Sequence, residues 1–303
     1  MQFTERSVVV TGSEGQLGAE LCRQLGAAAV GLTRAECNLV NKAQMAETVK
    51  RLQPGVVINT AAYTAVDRAE NEPGACHAVN AGGVAGLAEI CRGLDCVLVQ
   101  LSTDYVFGGD TERQSPYCEE DEPSPVNVYG QSKLAGERHA ARWQKHFIVR
   151  TCGLYGALAK PTQSNFVDTM LRLGRERDRL RIVDDQYCTP SYTVHVANAI
   201  LFLAQFQAFA EGFGTYHVVN EGGTTWHAFA SEIFKQAGLR TITDRITTRE
   251  YGALARRPAY SVLDTRKYEA LGAPRLPAWK FALAEYLLSI GELRCPPEPD
   301  TGR

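Results

Sequence analysis

Tyr129 and Lys133 stand four residues apart in the run Val-Tyr-Gly-Gln-Ser-Lys-Leu-Ala-Gly-Glu, residues 128–137. On a helix that spacing puts both on one face, within reach of a common ligand. A phenol titrates near pH ~10 and is a poor proton shuttle at neutrality. A lysine cation beside it favours the phenolate and brings the tyrosine towards general acid–base work. Tyr-x-x-x-Lys alone is short, and an ordinary helix surface would also produce it. A second motif near the N-terminus gives it weight.

That motif is Val8-Val9-Val10-Thr11-Gly12-Ser13-Glu14-Gly15-Gln16-Leu17-Gly18. A β-branched run enters a glycine turn and an amphipathic segment leaves it, the context of a dinucleotide-binding turn. Gly12 allows the tight turn, Gly15 lets backbone approach a pyrophosphate, and Gly18 lets the helix pack on the strand. Gln16 and Leu17 open that helix, whose N-terminal amides face the phosphates. The spacing is G-x-x-G-x-x-G. Cofactor choice rests on the end of the second strand, Gly31-Leu32-Thr33-Arg34-Ala35-Glu36. Arg34 favours the 2′-phosphate of NADPH, and Glu36 keeps NADH open.

The elements that must position these residues alternate between strand and helix patterns. That predicts an α/β fold with a doubly wound, Rossmann-type parallel sheet. Expected strands are residues 7–11, 29–33, 56–60, 96–102 and 147–151. Asn41 is expected to cap a helix over 42–52, which Pro54 stops. Asn80 is expected to cap a helix running to Arg92, with Gly93 just past its end. Residues 108–127 read as a polar, acidic, proline-bearing surface loop leading into the tyrosine helix. Beyond Thr151 the alternation weakens. Helices are expected over 165–177, 194–206, 225–237 and 279–289, with strands at 180–183 and 215–219. The tail from Cys295 to Arg303 reads as disordered. The chain therefore divides into a cofactor domain, 1–155, and a mainly substrate-binding lobe, 156–303, with segments near 185–220 returning to the first.

Composition narrows the function classes. The chain has 303 residues, a net charge of −2 and 45% apolar residues. This is an ordinary globular balance without the basic surface that nucleic acid needs. The arginines at 172, 175, 177, 179 and 181 read as a solvated helix face rather than a phosphate patch. Nine scattered cysteines form no C-x-x-C pair, which fits reduced thiols in a cytoplasm. No metal-ligand spacing, signal peptide or membrane-length apolar run is present. No metal and no membrane partner is expected.

Together the two motifs resemble the extended, sugar-nucleotide branch of the short-chain dehydrogenase/reductase superfamily. Leu101-Ser102-Thr103-Asp104-Tyr105-Val106-Phe107 and the segment 116–130 narrow the likeness to the dTDP-4-dehydrorhamnose reductase family. It runs nearly end to end, to Arg257-Pro258 and Leu263-Asp264. The resemblance implies NAD(P)H-dependent reduction of the 4-keto group of a dTDP-6-deoxyhexose. Tyr129 would be the general acid. Lys133 would lower its pKa and hold the nicotinamide ribose. Thr103 would hydrogen-bond the substrate oxygen, and Asp104 would contact substrate or tune the tyrosine. Asn38 and Leu39 would lie beside the adenine. Ala61, Ala62 and Tyr63 would pass under the cofactor, with Asn80 near them. Asn165, Gln186 and Arg257 would lie by the substrate, the arginine suiting a diphosphate. A homodimer is left open.

One departure stands out. Relatives often carry Arg-Thr-Ser-Trp-Val-Tyr where this chain has Arg150-Thr151-Cys152-Gly153-Leu154-Tyr155. Gly153 takes the tryptophan's place, so an aromatic wall of the sugar pocket is expected to be missing. That leaves the sugar and the product stereochemistry open. Two other readings stand beside the reductase. One is a non-catalytic subunit resembling the methionine adenosyltransferase β subunit; the other is a sugar-nucleotide epimerase. Dehydration is disfavoured, because Asp104 is followed by Tyr105 rather than by glutamate.

Overall fold

The computed structural model describes residues 7–157, 160, 164–206 and 212–297. Six strands form one parallel sheet: β1 (Val8–Thr11), β2 (Ala29–Leu32), β3 (Val56–Asn59), β4 (Val97–Thr103), β5 (His146–Thr151) and β6 (Gly214–His217). Their order is β6-β5-β4-β3-β1-β2. Among the described residues, eight helices of ten residues or more are α1 (Gln16–Leu25), α2 (Lys42–Leu52), α3 (Val84–Leu94), α4 (Val128–Ala140), α5 (Phe166–Glu176), α6 (Thr193–Phe206), α7 (Trp226–Gln236) and α8 (Trp279–Ser289).

The β-branched strands are buried on both faces, as a doubly wound sheet requires. Alternation assigns the faces. Val8 and Val10 join a core with Leu17 and Leu21 of α1 and Val196 and Ile200 of α6. Val9 points the other way, to Met45 and Val49 of α2 and Leu87 and Ile90 of α3. From β1 the chain goes to one side for β2 and to the other for β3. That reversal opens a crevice beyond the carboxyl ends of β1 and β3, where such sheets bind ligands.

A second core gathers α5, α7 and α8, with Met170, Phe229, Ile233, Leu283 and Tyr286 among its members. On it lies a short parallel pair, Arg179–Val183 with Ile242–Ile246. The second strand of that pair is largely polar and only Ile246 of it is buried, Ile-Thr-Asp-Arg-Ile, which hid it from a hydrophobic pattern. The cap expected at Asn41 forms, accepting from the Gln44 amide, and Asn165, expected beside the substrate, caps its helix by accepting from the Asp168 amide. Arg172, Arg175, Arg179 and Arg181 pair with Glu176, Glu292, Asp244 and Glu250 at the surface.

Asn80 is not a helix cap. A helix begins at Pro73 and runs on through a wide π-type turn, Ala78–Gly83, directly into α3. Gly93 lies inside α3, which ends at Asp95 in a left-handed conformation (φ 53°). Such wide turns are frequent at functional sites, and this one aims the Asn80 side chain at the cleft loop. The end of the tail expected to be disordered, residues 298–303, lies outside the described residues.

Candidate active site

The crevice at the strand reversal is one cleft with two chambers. The inner chamber, ≈ 450 Å³, is lined by Gln16, Leu17, Gly18, Thr103, Tyr129 and Lys133, with Cys152 and Gly153 at its far side. The outer chamber, ≈ 680 Å³, is lined by Gly12, Arg34, Asn38, Leu39, Ala61 and Tyr63. Gly15, Thr60 and Ala62 line both. The glycine turn and the tyrosine helix thus face the same space.

The outer chamber is shaped by backbone. Gly12 has φ +72°, and a β-carbon there would stand 2.7 Å from the Ala61 amide nitrogen. Only glycine lets the turns after β1 and β3 come so close. Gly15 precedes α1 without a side-chain cap, so the first-turn amides stay available to an anion. Asn80 holds the neighbouring turn: its side chain accepts from the Tyr63 amide (2.8 Å) and donates to the Tyr63 carbonyl (3.0 Å). It also donates to Ser132 of α4 (2.9 Å). Arg34 is exposed on the chamber wall. Glu36 is occupied elsewhere, accepting from the Thr33 amide (2.9 Å) and hydroxyl (2.8 Å). These residues fit a dinucleotide, with the arginine rather than the glutamate offered to its ribose end.

A buried polar line joins the glycine turn to the lysine. Thr11 donates to Asn59 (2.6 Å), and Asn59 donates to Gln100 (2.7 Å). Gln100 donates to the Leu101 carbonyl (2.7 Å), which also takes the Lys133 ammonium (2.6 Å). Lys133 is only 4% exposed. Burial lowers its pKa to about 8, and Glu137 one turn on acts the other way. Lys133 is thus committed to a backbone carbonyl rather than to the phenol. Glu137 is itself held by a two-pronged Arg150 contact (3.0 and 2.7 Å) and by Ser102 (2.5 Å), all three buried. This ion pair fastens α4 to β4 and β5.

Tyr129 is half-buried, packs edge-on against Tyr105 (ring centroids 5.8 Å apart) and lines the inner chamber together with Thr103. Burial pushes its phenol above the ordinary value. Asp104 departs from expectation. It is 2% exposed, does not line the cleft, and accepts from Thr103 (3.0 Å), Ser261 (2.6 Å) and Cys152 (3.1 Å). Of the groups it contacts, Thr103 and Cys152 reach the cleft.

The expected substrate residues separate. Gly153 lines the inner chamber, but no vacancy lies behind it. It sits at φ +52°, and a β-carbon would meet Pro190 Cα at 3.2 Å and the Trp226 indole at 3.3 Å. Trp226, at the start of α7, packs on Phe166 (4.7 Å) beside Gly153 but does not itself line the chamber. Asn165 caps α5 and donates to the Gly156 carbonyl (3.0 Å), with Gln16 of α1 at 3.4 Å. Gln186 is 4% exposed, does not line the cleft and donates to Thr248 (2.9 Å). Arg257 forms a two-pronged pair with Asp67 (2.8 and 3.2 Å), tying the loop after Gly252 to the cofactor side.

A family model, the RmlD substrate binding domain, matches residues 6–291. The dTDP-4-dehydrorhamnose reductase of Streptomyces griseus is 43% identical over 91% of this chain and 91% of its own length. The chain belongs to the dTDP-4-dehydrorhamnose reductase family. A spore coat polysaccharide biosynthesis protein of Bacillus subtilis, SpsK, is 39% identical over 92% of this chain and 96% of its own. Among solved structures, the dTDP-4-dehydrorhamnose reductase of Bacillus anthracis in complex with NADP superposes with a TM-score of 0.88 at 35% identity. That match covers 94% of this chain and all of the other. UDP-glucose 4-epimerase of Brucella ovis, with NAD, is similar in fold alone (TM-score 0.80, 20% identity).

Three features of this family member were not singled out from the sequence: the Glu137–Arg150 pair, Ser261 on Asp104, and Trp226 against Gly153. Glu137 did carry a signal, four residues past Lys133 on the same helix face. Ser261 and Trp226 carried none, because each reaches the site by tertiary folding alone.

Proposed function

We propose that this chain reduces the 4-keto group of a dTDP-4-keto-6-deoxyhexose with NADPH, giving dTDP-L-rhamnose or a related deoxysugar. The observation that carries the reading is the sharing of one cleft by Tyr129, Lys133 and the glycine turn. The family relatives named as dTDP-4-dehydrorhamnose reductases and the NADP complex of one of them support it. When bound, the dinucleotide would supply the hydride received by the sugar C4. Tyr129 gives its phenol proton to the oxygen at C4 as charge develops there. A phenol held above its ordinary pKa stays protonated at neutral pH, the form a proton donor needs. Lys133, an ammonium below pH about 8, supplies the positive charge next to the cofactor ribose and the developing oxyanion. Arg34 would hold the adenosine 2′-phosphate.

We assign residues 1–155 to the cofactor lobe and 156–303 mainly to the substrate lobe. The packing of α6 and β6 on the parallel sheet supports a return of the chain to the first lobe. None of the nine cysteines is joined in a disulfide, which favours a cytoplasmic setting. No helix among the described residues is long and apolar enough to cross a membrane. A homodimer is proposed on the family resemblance alone, and sedimentation equilibrium tests it. The functional test is a panel of dTDP-4-keto-6-deoxyhexoses with NADPH and with NADH, the products identified by NMR. Nucleotide oxidation without a 6-deoxyhexose product would overturn the reading.

A further inference from the structure

Ser132 stands between Tyr129 and Lys133 on α4, is 0% exposed and lines neither chamber. Its hydroxyl donates to the Tyr129 carbonyl (2.7 Å) and accepts from the Asn80 amide nitrogen (2.9 Å). The buried Cys76 thiol lies 3.1 Å from the same oxygen. The partners fix both directions, since an NH₂ group can only donate and a carbonyl can only accept. Asn80 is fixed in the same way. Its oxygen faces the Tyr63 amide and its nitrogen the Tyr63 carbonyl, so the side chain has one orientation.

The result is an unbroken line of hydrogen bonds from Tyr63 through Asn80 and Ser132 to the backbone of Tyr129. Its two ends stand in different chambers. Tyr63, with Ala61 and Ala62, lines the outer one, and Tyr129 lines the inner one. Little slack lies between them. Asn80 belongs to the wide π-type turn, and Gly136 lets α4 rest directly on the Asn80 carbonyl, which a β-carbon at 136 would overlap. Asn80 is 2% exposed, so solvent does not replace a bond lost between it and Ser132.

We propose that Ser132 is a positioning residue: through Asn80 it ties the loop bordering the outer chamber to the backbone of Tyr129, so that filling the outer chamber sets where the phenol stands in the inner one. Ser132 touches neither ligand. It acts on the reaction through the tyrosine and on the nucleotide through the Tyr63 loop. The proton donor is then held in place when the hydride source is present. Ser132→Ala cuts the line at its middle. It leaves Asn80 on Tyr63 and leaves the phenol, the lysine and the glycine turn as they are.

The inference rests on the reductase reading, so its test has an arm that needs no turnover. Adenosine 2′,5′-bisphosphate, the adenosine end of NADP, is the probe for the outer chamber, and 3-fluorotyrosine placed at position 129 of the intact chain reports by ¹⁹F NMR. Saturation with the probe is expected to shift that resonance. In Ser132→Ala the shift should fall to less than about half, with the dissociation constant of the probe within about threefold. An equal shift in both proteins overturns the proposal whether or not the chain reduces a keto sugar. The second arm is a double-mutant cycle on kcat. Ser132→Ala should lower kcat about tenfold by misplacing the phenol and leave the KM of the sugar within about twofold. In a Tyr129→Phe background the same change should cost less than about twofold, because the group it positions no longer donates. Equal losses in both backgrounds would make Ser132 a packing residue and overturn it. Should Ser132→Ala fail to fold, Ser132→Cys under reducing conditions takes its place, filling the site while bonding more weakly. The same pattern is then expected at smaller size, and equal losses again overturn it.

Discussion

The two ends of the cleft are built by different means. At the cofactor end the work is done by backbone from the first quarter of the chain: a glycine turn, an uncapped helix start and the loop after β3. At the sugar end it is done by side chains from distant segments. Ser261 meets Asp104 across 157 residues, and Arg257 meets Asp67 across 190. The first end is set once the local chain folds. The second exists only when both cores have packed against each other. Changes at the first should act on dinucleotide binding, and changes at the second on the sugar or on the stability of the assembled cleft.

Tyr129 stands between the two ends and should give the largest effect. Tyr129→Phe keeps the ring against Tyr105 and removes the proton, so both ligands should still bind while kcat falls by roughly 10²–10⁴. A loss of less than about tenfold would remove the tyrosine from the role. Lys133→Met should lower kcat and weaken the dinucleotide together, because the ammonium serves both. In the native chain the charged form is lost as pH rises through about 8. A fall of kcat/KM across that pH is therefore expected, and it should be absent in Lys133→Met. A limb that persists in the variant would belong to another group.

Gly153 tests the sugar end. The sequence reading expected room for a tryptophan, but the space is filled by Pro190 and Trp226, and the backbone is left-handed. Gly153→Trp should therefore act first on folding, costing about 2–4 kcal/mol by combining backbone strain with overpacking. Urea unfolding measures it. A stable variant with a changed sugar preference would restore the original expectation.

That reversal marks where the sequence was legible. The five strands up to Thr151 and the cap at Asn41 came from local signals, and the structure places them within a residue or two. Apolar alternation, a turn and a cap are all properties of neighbours along the chain. Tyr129, Lys133 and Gly12 were legible for the same reason. Asn80 was misread because an asparagine before an apolar run resembles a cap, while the helix had already begun at Pro73. Gln186 and Arg257 could be named but not aimed. Their directions depend on Thr248 and Asp67, which no spacing reveals. Trp226 and Ser261 were not singled out at all.

Arg34 returns the comparison to the cofactor end at smaller scale. Its side chain is exposed on the chamber wall while Glu36 is tied to Thr33. Arg34→Ala should raise the KM for NADPH about tenfold, a typical worth for one charge-assisted phosphate contact, and leave NADH nearly unchanged. Equal effects on both nucleotides would mean that the arginine does not read the 2′-phosphate.

The smallest expected effect is at Gln186, and it separates the two accounts of the sugar end most cleanly. By resemblance Gln186 lies near substrate; in the structure its amide serves Thr248 and is buried away from the cleft. Removing it does not leave Thr248 without a partner, since that hydroxyl also donates to Asp185 at 2.6 Å. Gln186→Ala should then cost about 1 kcal/mol of stability from one lost hydrogen bond and a small void. Steady-state constants for the keto sugar should change less than about twofold. A several-fold rise in KM for the sugar at unchanged stability would mean that Gln186 turns into the cleft when substrate binds. The sugar end would then be assembled by its ligand rather than by packing, and the contrast between the two ends would become one of order in time rather than of construction.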